Sequence, residues 1–388
     1  MPVNRHRLCD TFLALSRIPS PSRREGKTAA WIKRWAEGYR IAVEEDDAAS
    51  RVGGECGNLF LRLPGKGCGP RLFLCAHLDT IESSNYTPTP RVEGDEIVSD
   101  SGMVGADDKC GVSVLLEALA CLREEKLPHA DLCICFTVCE EIELLGAKAI
   151  GSERLRGYDA GVVLDHSAPD EIPCGAPGKR ALAITVQGRG GHGAHPESCL
   201  NAAHILARAM GRLPSGRLDE HSTACLGILR SGTAVNVIPE TAYAEYEIRS
   251  HLPELLRFHL ENALGIIEAT VRAARIYRLP ADVVSGEKGV IHKATVEVEV
   301  SECYEPYRLT QDDLPVRLLR QAVAACGLTP RLLLAAGGSD ANIFNRRGLP
   351  TALLGCGMHG AHSRRERASL SEMAQAAAVI VKLATAGA

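Results

Sequence analysis

The segment LCICFTVCEE, residues 132–141, runs from an apolar stretch directly into two adjacent carboxylates, Glu140 and Glu141. Neighbouring side chains of a strand point to opposite faces, so a strand that continued through this pair would drive one glutamate into the core. Burying an unpaired carboxylate is very costly. The sequence therefore predicts that the strand stops before the pair or that a cation neutralises it.

Two further apolar runs, RLFLCA at 71–76 and AGVVL at 160–164, share the character of this segment. None of them alternates apolar and polar residues, which is typical of central strands in a parallel sheet that is covered on both faces. A helical pattern from Lys109 to Glu125 lies between two of the runs. The pattern predicts an α/β fold with a doubly wound, mostly parallel sheet.

The C-terminal part of the chain returns to this α/β pattern. Thr310 is expected to cap a helix that carries Asp312 and Asp313 in its first turn. The segments LLLAA (332–336) and TALLG (351–355) then read as short strands.

The character of the sequence changes near Gly178. Strand patterns at 181–188, 224–230, 241–250 and 294–300 enclose two helical segments, about 201–213 and 253–277, in the order β-α-β-β-α-β. This is the order of a ferredoxin-like sandwich. The sequence thus predicts a discontinuous first domain, 1–177 and 305–388, interrupted by a second domain at 178–304.

The bulk composition excludes several classes of protein. The net charge of −4 lacks the basic excess that a nucleic-acid or anionic membrane surface requires. No apolar run approaches the ~20 residues needed to cross a bilayer, and the N-terminal residues lack the apolar stretch of a secretory signal. The 15 cysteines show no paired spacing, and Cys133, Cys135 and Cys225 lie in apolar runs. Buried thiols in a reducing cytoplasm are expected.

Polar side chains follow the predicted strands and open the predicted helix at four places, which are His77 with Asp79, Asp107 with Asp108, Glu140 with Glu141, and Asp165 with His166. Ligands of open α/β sheets bind beyond the carboxyl ends of the strands, so the four pairs are candidates for one crevice. Each pair alone has another explanation as a turn, a helix cap or a solvated loop. Their coincidence favours a shared site, and a histidine among carboxylates suits a di-zinc or di-manganese hydrolase.

The chain resembles the di-zinc exopeptidases and amidohydrolases that include peptidase T, the aminoacylases and the carboxypeptidase G type. The motifs that carry the resemblance occur in the expected order: HLDT (77–80), GADDKCG (105–111), EEIELLGA (140–147), GTAVNVIPETAYAEYEIR (232–249), GGSDANIF (337–344) and HSRRE (362–366). The forms GADDK and GGSD favour the peptidase T branch.

The resemblance implies two zinc ions per subunit, with manganese or cobalt as alternatives. The implied metal ligands are His77, Asp107, Glu141, Asp165 and His362. Asp107 would bridge the two ions, Asp79 would orient His77, and the peptide bond between Asp107 and Asp108 would be cis. His362 is preferred over His359 because Glu366 follows it by four residues, as in the H-x-x-x-E pattern of the family.

The resemblance also implies the mechanism. The two zinc ions would share and acidify one water, and Glu140 would take its proton and deliver it to the leaving amine. The expected activity is that of a tripeptide aminopeptidase acting on short peptides. An N-acyl amino acid deacylase or a carboxypeptidase would use the same site. Two alternatives of other classes are a scaffold that binds peptides without cleaving them and a thiol hydrolase that uses Cys139.

Residues outside this cluster are expected to bind substrate. The inserted domain would act as a lid, form a homodimer and supply His192, which stands nine residues before Asn201 as in the family, with His195 as the alternative. The full set of expected substrate-binding residues is His192, Asn236, Arg249 and Gly338. Asp340 is expected to line the same pocket edge or to cap a helix. No nucleic-acid or membrane partner is expected, and the enzyme would be cytoplasmic.

Overall fold

The computed structural model describes residues 3–65, 69–81, 88–100, 103–274 and 293–386. The chain divides into two compact units, of which one combines Met1–Ala176 with Tyr307–Ala388 and the other comprises Pro177–Pro306. The assignment of these units as a catalytic domain and a lid for dimerisation stays a prediction.

The first unit is built on a six-stranded sheet. In spatial order its strands are Val43–Glu45, Leu59–Leu63, Leu132–Thr137, Leu72–His77, Ala160–Val163 and Thr351–Leu353. The last four pair in parallel, whereas the first two join the edge in antiparallel fashion. Every residue of Leu72–His77 and Leu132–Thr137 is buried, as their continuous apolar sequences predict. The predicted α/β fold with a mostly parallel sheet is confirmed.

Helices of the first unit cover this sheet. They are Arg5–Ser16, Gly26–Gly38, Ala48–Val52, Ala106–Glu124, Leu145–Ala149, Ser152–Leu155, Leu314–Ala325, Asp340–Arg346 and Leu370–Thr385. Ala106–Glu124 starts three residues before the predicted Lys109 and is buried on all sides from Ala106 to Leu122. It packs against Arg5–Ser16, Leu370–Thr385 and the strand Leu72–His77, which fixes its first turn beside the end of that strand.

Short strands complete the first unit. Pro90–Glu93, Glu96–Ser99, Arg367–Ser369 and Met358–His359 form a four-stranded sheet, Glu171–Pro173 pairs with Arg331–Leu333, and Gly175–Ala176 pairs with Tyr307–Arg308. The predicted strand LLLAA is thus shorter than expected and lies outside the central sheet.

The predicted cap of the helix Leu314–Ala325 is wrong. Asp313, not Thr310, occupies the N-cap position, and the backbone N–H and hydroxyl of Thr310 donate to the Asp313 carboxylate at 2.6 and 2.8 Å. Pro315 occupies the first turn, where its missing N–H costs nothing, and so places the helix start after Thr310.

The second unit is an antiparallel sheet covered by two helices. Its long strands are Gly178–Gln187, Ser222–Ser231, Thr241–Ser250 and Thr295–Tyr304, with Gly216–Arg217 at one edge, and its helices are Ala202–Met210 and Pro253–Ala273. The first strand lies between the third and the fourth, as in a ferredoxin-like sheet. The predicted β-α-β-β-α-β order is confirmed. The predicted extension of the second helix to Tyr277 lies outside the described residues.

Among the described residues, no helix combines the length and apolarity needed to cross a membrane. Cys133 and Cys135 are buried, as predicted. Cys225 is exposed, contrary to the prediction, because the alternation of the strand Ser222–Ser231 turns Ala224 inward and Cys225 outward.

Candidate metal centre

Glu140 and Glu141 lie beyond the end of the strand Leu132–Thr137. Two residues beyond the strand, Cys139 has a φ of +53°, a conformation that few residues other than glycine adopt. The prediction that the strand stops before the two glutamates is confirmed. The turn frees both side chains from the alternation of the sheet, so that both line one cleft.

Three side chains from separate elements form a group that could hold a metal ion. They are His77 at the end of its strand, Asp107 in the first turn of the helix Ala106–Glu124, and Glu141. Their ligand atoms all lie within 4.8 Å of one another. Nε2 of His77 is 3.0 Å from Oδ1 of Asp107. One imidazole and two carboxylates are donors that Zn²⁺ and Mn²⁺ accept, so the residues fit a divalent cation.

His362 contacts the opposite side of this group. Its Nε2 atom lies 3.1 Å from Oδ2 of Asp107 and 3.0 Å from Oε1 of Glu141. The Asp107 carboxylate therefore faces the imidazole of His77 with one oxygen and that of His362 with the other. His359 instead contacts Oε2 of Glu372 at 2.5 Å, an arrangement that favours His362 as the ligand.

Asp165 lies two residues beyond the strand Ala160–Val163 and lines the same open cleft. The cleft is lined by Asp107, Glu140, Glu141, Asp165, His166, residues 335–339, Leu353 and His362. Asp165 is outside the compact group of His77, Asp107 and Glu141. Gly338, which was predicted to lie at a pocket edge, is part of the cleft wall.

Burial shapes the electrostatics of the cleft. It raises the pKa of Glu140 and Asp165 well above the usual range of carboxyl groups, and it raises the pKa of Glu141. Burial also acts to raise the pKa of Asp107, but hydrogen bonds from His362 and His77 outweigh it, and that pKa is lowered. Buried carboxyl groups with raised pKa values are poorly stabilised as anions. A bound cation would relieve this.

Asp79 supports the centre in a different way from the one expected. Nδ1 of His77 donates to the backbone carbonyl of Asp79 at 2.9 Å, whereas the nearer carboxylate oxygen is 3.4 Å away. The buried carboxylate instead accepts hydrogen bonds from the N–H groups of Glu140 and Glu141, at 2.9 and 3.1 Å, and from the hydroxyl of Ser22. Asp79 therefore connects the imidazole to the two glutamates.

Glu366 has a role that its sequence motif did not indicate. Its buried carboxylate accepts hydrogen bonds from the N–H groups of Val104 and Gly105, both at 2.7 Å, and of Asp107 at 3.3 Å. It therefore fixes the entry to the helix that carries Asp107. At the level of sequence, the position of Glu366 was used only to prefer His362 over His359 as the metal ligand.

The backbone around Asp108 is fixed as well. The peptide bond between Asp107 and Asp108 is cis, as expected. The Asp108 carboxylate accepts hydrogen bonds from the N–H groups of His77 and Gly111, each at 3.0 Å.

The expectation that Asp340 caps a helix is wrong. Ser339 is the N-cap of Asp340–Arg346, and its side chain accepts from the N–H of Ala341. Asp340 follows in the first turn with a buried side chain. The hydroxyl of Ser339 therefore provides the cap that Asp340 was expected to supply.

The remaining predicted residues lie in the second unit. His192 belongs to a two-residue strand that pairs with Val237–Ile238, and the N–H of Gly193 donates to the carbonyl of Asn236 at 2.8 Å. His192 and Asn236 are thus neighbours. The guanidinium of Arg249 donates to both carboxylate oxygens of Glu247, at 2.9 and 3.3 Å. The substrate-binding roles of these residues stay predictions.

Several known proteins are similar to this chain in sequence and in fold. Residues 73–386 match the model of peptidase family M20/M25/M40. A tripeptidase from Staphylococcus aureus is 28% identical, with a TM-score of 0.88 over 99% of this chain and 98% of that one. The aminopeptidase PepT from Bacillus cereus is also 28% identical, with a TM-score of 0.82 over the same shares. Peptidase T from Serratia proteamaculans is 27% identical over 299 residues, 75% of this chain and 68% of its own.

These matches confirm the resemblance that the motifs indicated. Because the family match spans most of the chain, the chain belongs to peptidase family M20/M25/M40, as a peptidase T-like metallopeptidase that hydrolyses peptides.

Proposed function

We propose that the chain is a di-zinc exopeptidase that removes the N-terminal residue of short peptides, in the manner of a tripeptide aminopeptidase. The observation that carries the proposal is the position of Asp107, whose two carboxylate oxygens face the imidazoles of His77 and His362 at 3.0 and 3.1 Å. A carboxylate between two histidines suits two adjacent cations. The similarity of the chain to a tripeptidase and to an aminopeptidase, each 28% identical, supports this substrate class.

Each metal would have its own ligands and share Asp107. His77 and Asp165 would hold one ion, and Glu141 and His362 would hold the other. Bound zinc ions would polarise the peptide carbonyl and make a water easier to deprotonate. Zinc is the proposed metal, with manganese or cobalt as alternatives.

Glu140 is the proposed general base. It lies beside Glu141, and both residues line the cleft. Glu140 would accept a proton from the attacking water and donate it to the leaving amine. The hydrogen bond from its N–H to Asp79 fixes the backbone from which it acts.

The proposal assigns substrate binding to His192, Asn236, Arg249 and Gly338. Arg249 would bind a substrate carboxylate through its planar guanidinium. In the described structure, the carboxylate of Glu247 accepts hydrogen bonds from this guanidinium. The proposed enzyme is a cytoplasmic homodimer joined through the second unit.

The structure disfavours a thiol hydrolase. Cys139 is fully buried, and its thiol donates to Oε1 of Glu25 at 3.4 Å. Burial raises the pKa of this thiol well above its usual range. A nucleophilic cysteine needs an accessible thiolate, and Cys139 is neither accessible nor readily ionised.

Three substrates distinguish the proposed activity from its alternatives. The zinc-loaded enzyme would be assayed with a tripeptide, an N-acetylated tripeptide and an N-acetyl amino acid, and a chelated sample would serve as the control. Only the free tripeptide should be cleaved, and chelation should abolish cleavage. Cleavage of the N-acetyl amino acid would indicate a deacylase, and cleavage of the blocked tripeptide would indicate a carboxypeptidase. A folded, zinc-loaded protein that cleaves none of them would refute the proposal.

A further inference from the structure

Four consecutive backbone N–H groups, from Val138 to Glu141, donate to side-chain oxygens rather than to a neighbouring strand. The pairs are Val138 with Oδ1 of Asn58 at 3.0 Å, Cys139 with Oε1 of Glu25 at 2.9 Å, Glu140 with Oδ1 of Asp79 at 2.9 Å, and Glu141 with Oδ2 of Asp79 at 3.1 Å. We refer to Glu25, Asn58 and Asp79 together as the acceptor cradle.

The acceptor cradle answers a need that the end of the strand creates. Beyond Thr137 the N–H groups lose the sheet as a partner, yet the chain remains buried as far as Glu140. Buried N–H groups without a partner are rare in folded proteins. Cys139 also adopts a left-handed conformation, with a φ of +53°, which a residue with a Cβ atom keeps only when its surroundings hold it.

Glu25 is itself held in place. It is fully buried, and Oε1 accepts two further hydrogen bonds, from the N–H of Arg23 at 3.0 Å and from the thiol of Cys139 at 3.4 Å. The same carboxylate oxygen therefore joins the N-terminal segment to the turn at Cys139.

Asn58 is equally constrained. Its side-chain nitrogen donates to Oδ2 of Asp46 at 2.8 Å and to the carbonyl of Gly146 at 3.0 Å. With both donor hydrogens used, the amide oxygen points at the N–H of Val138. Asn58 thus connects the start of the turn to Gly146, which follows the two glutamates in the sequence.

We propose that Glu25 and Asn58 are positioning residues for Glu140 and Glu141, an inference that rests on the proposed function of those two glutamates. Both precede residue 73, where the family match begins. They act through the backbone, since their bonds reach N–H groups of the turn and not the cleft. Without them, the backbone turn would no longer hold Glu140, the proposed base, and Glu141, the proposed metal ligand, in their separate orientations. Metal binding and turnover should therefore weaken more than substrate binding.

Substitution of Glu25 tests the inference. Glu25→Ala removes the acceptor, and Glu25→Gln keeps an acceptor oxygen. Glu117→Ala is the matched control, because Glu117 is a buried carboxylate that accepts hydrogen bonds from the N–H of Asn4 and the guanidinium of Arg7, apart from the metal centre. Zinc affinity would be measured by competition with a chromophoric chelator, alongside kcat, KM and the melting temperature of each variant.

The expected results separate positioning from general destabilisation. Glu25→Ala should lose about 10- to 100-fold in zinc affinity, the range seen for partners of metal ligands, and should lose kcat with little change in KM. Glu25→Gln should recover most of the affinity. Glu117→Ala should lower the melting temperature and keep the affinity of the wild type.

Two outcomes overturn the inference: wild-type affinity and kcat in Glu25→Ala, or an equal loss of affinity in Glu117→Ala. If Glu25→Ala does not fold, Glu25→Asp withdraws the acceptor by one methylene, and wild-type affinity and kcat there would overturn the inference as well. A wild-type protein that binds zinc without cleaving peptides would refute the proposed function and leave the affinity comparison decisive for positioning. A wild-type protein that binds none of zinc, manganese and cobalt refutes both.

Discussion

Thr137 donates its hydroxyl hydrogen to Oδ2 of Asp340 at 2.5 Å, where the end of a central strand meets the first turn of the helix Asp340–Arg346. The other oxygen, Oδ1, is buried and has no hydrogen-bond partner within the described parts of the chain. Burial raises the pKa of Asp340 to about 6, although the bond from Thr137 acts to lower it. The folded protein therefore binds a proton at Asp340 more tightly than the unfolded chain does.

Asp340→Asn should alter the pH dependence of stability. Because the pKa is raised on folding, the stabilisation from protonated Asp340 is complete below the unfolded pKa of 3.8 and is lost as the pH rises through about 6. The shift corresponds to roughly 3 kcal/mol. As the pH rises from about 4 to about 7.5, the wild type loses most of this stabilisation and the variant does not. The free energy of unfolding of the variant should therefore rise by most of this amount relative to that of the wild type. Urea denaturation of both metal-free proteins measures it, and parallel pH profiles would contradict the expectation.

Glu140→Gln should abolish turnover and leave the metal content unchanged. Loss of a general base typically costs ~10²–10⁴-fold in rate, and the amide retains the size of the carboxylate. Steady-state kinetics and elemental analysis of the purified variant provide the measurement. A variant that loses metal along with activity would assign Glu140 to the metal shell instead of to proton transfer.

His77→Ala should deplete the bound metal, whereas His359→Ala should not. His77 faces Asp107 inside the group of ligand atoms, and His359 faces Glu372 outside it. The two variants remove the same kind of side chain, so His359→Ala is the control for general effects of losing an imidazole. Elemental analysis after dialysis gives the stoichiometry, and equal metal content in both variants would remove His77 from the site.

Gly146→Ala should destabilise the protein, and Gly38→Ala should not. A Cβ atom at Gly146 would stand 1.9 Å from the carbonyl oxygen of Val138, whereas one at Gly38 meets no atom within 4 Å. Overpacking typically costs ~1–3 kcal/mol, and a tolerated glycine-to-alanine change adds ~0.4–1 kcal/mol through the unfolded chain. Denaturant unfolding tests both changes. Equal stability of the two variants would show that the turn beside Val138 adapts.

Mixing two inactive variants should restore activity if His192 serves the partner subunit. His192→Ala chains keep the proposed base, and Glu140→Gln chains keep the proposed substrate-facing histidine. A heterodimer would then contain one complete site. Purified heterodimers that show no recovery would contradict the sharing of His192 between subunits.

Local sequence patterns predicted much of the fold because they depend only on residues that are close together in the chain. The buried strand Leu132–Thr137 was expected from its unbroken apolar run, and the turn before Glu140 was expected from the cost of burying a carboxylate. The start of the helix Leu314–Ala325 was misplaced because Thr310 and Asp313 are both good capping residues. Pro315, which favours the first helical turn, was the signal that distinguishes them.

The acceptor cradle was missed because its bonds cross long stretches of chain. Glu25 precedes Cys139 by 114 residues, and Asn58 precedes Val138 by 80. No periodicity links an isolated acceptor to a distant N–H group. One indirect signal was available: a strand that ends in a buried turn without glycine needs acceptors from elsewhere in the chain.

The first compact unit is formed by two segments of the sequence, one before and one after the second unit. His77 and His362, which face opposite oxygens of Asp107, are consequently separated by the whole insertion. A ribosome must therefore synthesise the inserted unit and the segment from Tyr307 to His362 before both imidazoles exist. A copy that terminates before His362 lacks one of them, and with it one ligand of the proposed centre.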